Sequence, residues 1–116
     1  MPAVRRRRAP RVVLILAAYP GRAAANRAAR RLVDGCLAAC ATVVPNGRAH
    51  YRWNGKLRSD ASALLWAKTT SGRAGAAVRA VRDGHPDSVP EILVLPVSGG
   101  HAPYLAWIAA EVERGR

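Results

Sequence analysis

Acidic residues, lysine and cysteine are all scarce in this chain. Seven aspartates and glutamates are scattered through 116 residues, and Lys56 and Lys68 are the only lysines. Two cysteines, Cys36 and Cys40, do not make a disulfide framework, so the expected compartment is the reducing one of the cytoplasm. No apolar run approaches the roughly 20 residues of a membrane-crossing helix, and no transmembrane segment is expected. The sequence also has no nucleophile elbow, no phosphate-binding glycine loop, no HExxH and no paired CxxC. With none of these signatures in place, the chain reads as a protein without catalysis.

What is abundant is arginine. Nineteen Lys and Arg against seven acids leave a formal net charge of +12. Four of the charges form one run, Arg5 to Arg8, ahead of the first apolar segment, so residues 1–10 read as a basic, disordered arm. At about 1 kcal/mol for each arginine near an anionic surface, the run supplies roughly 4 kcal/mol, a millimolar affinity. Weak, salt-dependent contact with anionic polymers or a membrane surface is therefore expected of the arm. The same arginines followed by Val12 to Ala18 and the alanines 23–25 imitate a secretory signal. The apolar stretch is at the short limit for one, however, and Pro20, Gly21 and Arg22 interrupt it, so it is read as a strand.

Residues 11–116 then form a single domain. Half of the sequence is hydrophobic and 22% charged, inside the globular range. Residues 12–18 are a continuous apolar run, the pattern of a strand covered on both faces. From about Ala23 to Ala38, apolar Ala25, Ala28, Ala29, Leu32, Val33 and Cys36 recur at helical spacing, with Gly35 a point where the last turn ends early. Cys40 to Val44 reads as a strand, bulged at Pro45-Asn46-Gly47 and resumed from Arg48 to Trp53. Asn54-Gly55 predicts a tight hairpin, with Lys56 to Thr69 as the return strand.

Ser71 is placed to cap a second helix from about Gly72 to Asp83, stopped by Gly84. Ile92 to Val97 is another strand, held to an edge by Pro96. Pro103 opens a third helix, with Tyr104, Leu105, Ile108 and Val112 along one face.

This order is the α+β, ferredoxin-like split βαβ arrangement, βαββαβ plus a C-terminal helix. Both main helices should cover one face of a four-stranded antiparallel sheet. The other face has too few helices to cover it, so it is either polar or buried by another subunit. Tyr51 and Trp53 sit on the hairpin where no local helix covers them, and a buried tryptophan removes roughly 200 Å² from water, worth about 5 kcal/mol. Trp66 and Trp107 are read as core of their own chain.

The metal-ligating types are few. Cys36 and Cys40 stand four apart, the spacing of one helix face, and read more simply as small buried hydrophobes. His85 precedes Pro86 in a loop near Glu91, where an imidazole and a carboxylate could share one divalent ion.

Several blocks recur together in one known family: Leu37-Ala38-Ala39-Cys40, Tyr51-Arg52-Trp53-Asn54-Gly55-Lys56, Lys68-Thr69, His85-Pro86, Val89-Pro90-Glu91-Ile92, Leu95-Pro96-Val97 and Tyr104-Leu105-x-Trp107-Ile108. Through them, in register from about residue 11 to residue 112, the chain resembles the CutA divalent-cation tolerance family. The resemblance implies an intertwined homotrimer similar in plan to PII signal proteins, with residues 39–53 as one long bent strand and Tyr51 and Trp53 as interface anchors.

It also implies a link to tolerance of copper and other divalent cations, by weak metal binding or PII-like signalling, with no obligatory cofactor. Of the family's copper ligands the resemblance carries over His85; Asp87 and Glu91 nearby add carboxylates that complete the candidate metal group, and Lys68 is the candidate residue of a ligand pocket. The chain departs from the family pattern at Ala17, where members can carry a cysteine ligand, at Asp87 after His-Pro, and at Ala61 and Ser62. The alternative reading is a basic nucleic-acid-binding module that uses the sheet face and the arginine arm.

Overall fold

The computed structural model describes residues 11–115, so the arm and its Arg5 to Arg8 run lie outside the described residues. The chain runs β1 (Val12–Tyr19), α1 (Arg22–Asp34), β2 (Cys40–Trp53), β3 (Lys56–Thr70), α2 (Ser71–Gly84), β4 (Ile92–Pro96) and α3 (Ala102–Glu113). The four strands form one antiparallel sheet in the order β2-β3-β1-β4. The two central strands are the apolar runs with β-branched and aromatic content, and β4, ending at Pro96, lies at an edge where a missing N–H costs nothing.

Residues of one parity on the central strands face α1 and α2. Ile15, Ala17 and Tyr19 of β1 and Ala63, Leu65 and Ala67 of β3 are buried against Ala25, Ala28, Ala29 and Leu32 of α1 and Ala77 and Val81 of α2. Small alanine side chains on both sides bring helix and sheet backbones close together.

The register places Val12 opposite Thr70 on the other sheet face, and both are buried. α3 packs against β1 and β3, and its Ile108 and Val112 are buried outside the helix-side core. It thus caps one end of the face that α1 and α2 leave open. At the far end of α3, Arg73 donates from Nε to the Val112 carbonyl at 3.1 Å.

Beyond Val44 and Ser62 the β2–β3 pair leaves the domain as a two-stranded arm. The molecule therefore measures 64 × 28 × 24 Å, with a radius of gyration of 16.3 Å, against about 13 Å for a compact domain of this length. The register shifts between Val44 and Gly47, so β2 is one continuous bulged strand. Asn46 takes a φ of 65° in the bulge, and Asn54 and Gly55, at 51° and 78°, close the hairpin with both residues left-handed, as a type I′ turn requires.

Besides one-residue shifts at the ends of β1, β3, β4 and α3, two features differ from the sequence reading. α1 stops at Asp34 rather than near Ala38, because Gly35 ends the hydrogen-bond ladder and Cys36 turns left-handed at φ 57°. Val33, read on the apolar face of the helix, is exposed, and Ala38 reaches the core from the connection rather than from the helix. The cap of α2 is Thr70, not Ser71, and its side chain makes no capping bond. Among the described residues, no helix is long and apolar enough to cross a membrane.

Candidate functional site

The sheet face opposite α1 and α2 is rich in exposed large hydrophobic side chains. Leu14 and Leu16 of β1 pair with Lys68 and Trp66 of β3 on one side and with Leu95 and Leu93 of β4 on the other. Thr42 of β2 lies opposite Trp66, and Cys40 opposite Lys68. Trp66, Val44, Leu93 and Leu95 are all exposed, at 39, 46, 52 and 39%. From α3, Tyr104 stacks on Trp107 with ring centroids 5.6 Å apart, and both rings are also exposed.

Trp66 and Trp107 were expected in the chain's own core, and the structure corrects this. Strand alternation puts Trp66 on the same face as Lys68, where neither main helix reaches. Trp107 stands next to buried Ile108 in the same turn of α3, about 100° around the helix, and is exposed.

Lys68 sits within this apolar face. Its Nζ donates to Thr42 Oγ1 at 2.9 Å and lies 4.0 Å from Cys40 Sγ. Among the described residues, no carboxylate approaches it within ion-pair distance. Burial pushes the Tyr104 phenol above the ordinary tyrosine value, and the adjoining Cys40 thiol adds to the effect. The site therefore gathers one ammonium, two hydroxyls and a thiol at the edge of an otherwise hydrocarbon surface.

Tyr51 and Trp53 are brought together on the arm, both exposed. The Tyr51 hydroxyl donates to Asp60 Oδ2 across the hairpin, and that bond raises its pKa above the ordinary value.

His85 occupies a separate corner, where the α2–β4 connection meets the end of β1. Its side chain is fully buried and stacks on Tyr19 at 4.3 Å. The Tyr19 phenol is raised in pKa by the same burial, with Arg31 opposing. The His85 Nε2 lies 2.6 Å from the Ala18 carbonyl oxygen, and the Asp87 backbone N–H donates to Nδ1 at 3.0 Å. A carbonyl only accepts and an amide N–H only donates, so the ring is the neutral Nε2–H tautomer with both nitrogens in use.

The expected ligand group does not assemble. Asp87 Oδ2 lies 3.9 Å from His85 Nδ1, but Glu91 is exposed and meets β1 through its backbone, its carbonyl accepting from Ala18 N–H at 3.2 Å. Among the described residues, no three His, Cys, Asp or Glu side chains converge. An imidazole binds a metal through a free lone pair. His85 has none to give, so this corner as built does not fit a divalent ion. Cys36 and Cys40, both free and half-buried, do not share a helix face, because α1 ends before the first of them.

Three comparisons bear on this arrangement. A family model described as CutA1 divalent ion tolerance protein matches residues 13–111. The divalent-cation tolerance protein CutA of Pectobacterium atrosepticum is 39% identical over 100 residues, covering 86% of this chain and 91% of its own length. Among solved structures, CutA from Xylella fastidiosa superposes with a TM-score of 0.84 at 36% identity, over 87% of this chain and 97% of that one. A CutA from Archaeoglobus fulgidus, described as periplasmic, superposes with a TM-score of 0.83 at 28% identity, over 87 and 98%.

Proposed function

The chain belongs to the CutA1 divalent ion tolerance family, and from that premise we propose that it acts as a non-catalytic homotrimer in the response to divalent cations such as copper. One observation carries the assembly: a folded protomer leaves Trp66, Val44, Leu93 and Leu95 exposed on one continuous sheet face. Each 100 Å² of that face removed from water is worth about 2.5 kcal/mol, and among the described residues no further element is left to cover it. Three copies around a shared interior bury it, and the arm seats Tyr51 and Trp53 against a neighbour.

In such an assembly the neighbour encloses Lys68, and its ammonium, already held by Thr42, becomes the cation of a ligand pocket. A PII-like signalling role follows from a ligand that changes how the copies meet there. Divalent ions are what the response is directed at, not residents of the His85 corner. The two free cysteines favour the cytoplasm as the place of action.

Light scattering on the purified full chain tests the assembly. The expected mass is three times that of one chain at micromolar concentration. A stable single-chain mass overturns the reading.

A further inference from the structure

α1 and α2 form the outer layer, opposite the face reserved for other copies. α1 carries four arginines against Asp34, and α2 carries Arg79 and Arg82 against Asp83, its third arginine, Arg73, being turned to the Val112 carbonyl of α3; neither helix has a lysine or a glutamate. Among the described residues, only Arg82 of these arginines has an ion-pair partner, its chain neighbour Asp83 at 3.4 Å.

This placement runs against the helices' own electrostatics. Arg27 stands three and four residues from Arg30 and Arg31, and Arg79 three from Arg82, spacings at which like charges repel by about 0.2–0.5 kcal/mol a pair. Arg22 is the first residue of α1, where the positive end of the helix favours a carboxylate, and neither helix has an acid in its first turn. Charge arranged at a cost to the free helices is relieved when an anion neutralises it.

We infer that the α1/α2 layer is a docking surface for the phosphate backbone of double-stranded nucleic acid. The guanidinium fork pairs with phosphate oxygens through two parallel hydrogen bonds, which suits arginine rather than lysine to this use. Asn26, Arg30 and Arg31, with Asp34, line a shallow groove beside β2 where a phosphate can sit below the rim of the layer. A lipid surface is a poorer match. An interfacial helix inserts large apolar side chains, and Val33 is the only large hydrophobic one exposed on these two helices. The contact is with backbone alone, so it is independent of base sequence.

The test is fluorescence anisotropy of the full chain with a duplex of about 20 base pairs across a salt series. With about five phosphates neutralised, affinity should fall about 500-fold between roughly 50 and 200 mM salt. The Arg27→Ala/Arg30→Ala/Arg79→Ala variant, with helicity checked by circular dichroism, should lower the logarithmic salt slope by about 2.7. Lysine at the same three positions should restore the slope. Deleting residues 1–9, which removes Arg5 to Arg8, should change it less than the alanine variant does. An unchanged slope in the alanine variant overturns the inference. So does loss of all binding on arm deletion, or binding to phosphatidylserine/phosphatidylcholine vesicles with none to the duplex.

Discussion

His85 and Ala18 are joined by a 2.6 Å hydrogen bond that ties the α2–β4 connection to the C-terminal end of β1. The two residues are 67 positions apart, so the bond closes a long loop of chain with one side chain. His85→Ala removes this bond and the stack on Tyr19, and it leaves the Asp87 N–H without its acceptor. Together these losses should cost about 2–4 kcal/mol, read as a lower midpoint in urea denaturation. Calorimetric copper titration should give the same weak affinity before and after the change. Lost affinity at an unchanged midpoint would return His85 to the metal.

The bend between sheet and arm depends on Gly47. A Cβ there would lie 2.6 Å from the Ser62 carbonyl oxygen, which belongs to the paired backbone and has no room to retreat. Gly47→Ala should therefore cost about 1–3 kcal/mol through overpacking and redirect the arm. Thermal unfolding checks the stability, and light scattering checks whether the redirected arm still supports assembly. Gly84→Ala is the control. Its Cβ would meet the Arg31 guanidinium, the far end of a flexible side chain, and the effect should be small.

Much of this architecture is legible in the residues, and the failures have physical causes. The apolar runs of β1 and β3, the Asn54-Gly55 turn and the bulge at Pro45 to Gly47 are local features, and each appears where its chemistry puts it. The end of α1 was misplaced because Ala38 continues the apolar period while Gly35 and a left-handed Cys36 break the ladder.

Trp66 is more instructive. Its apolar neighbours Leu65 and Ala67 suggest core, yet the pairing of Lys68 two positions on shows which sheet face it shares. Read by parity, that lysine marks the whole open face. The engagement of both His85 nitrogens had no signal in the sequence, since it depends on a backbone carbonyl and a backbone amide brought in by the fold.

Tyr51 offers a probe of the arm at alkaline pH. Its bond to Asp60 favours the neutral phenol, so the folded pKa lies above the ordinary value near 10. The contribution of this bond is complete below the unfolded value and disappears as pH rises through the folded one. Burial also raises Tyr19 and Tyr104, so ultraviolet difference titration should show all three tyrosines ionising late, and Asp60→Asn should move one of the three back toward the ordinary range. An identical titration in both proteins would mean that the bond does not hold the arm.

Adjacent residues on β3 separate folding from assembly. Leu65 points into the helix-side core, fully buried, and Trp66 points out onto the open face. Trp66→Asp puts a carboxylate where another copy should sit, and burying it unpaired costs several kcal/mol. The protomer itself loses less, because Trp66 is already exposed on the face that α1 and α2 do not cover. Light scattering should therefore report a single-chain mass, with the far-ultraviolet circular dichroism of the parent retained. Leu65→Asp should instead abolish the fold, since its carboxylate would lie among Ile15, Leu32 and Ala77 with nothing to pair it. If Trp66→Asp keeps the multimeric mass, the open face is not where the copies meet, and the arm alone must hold them.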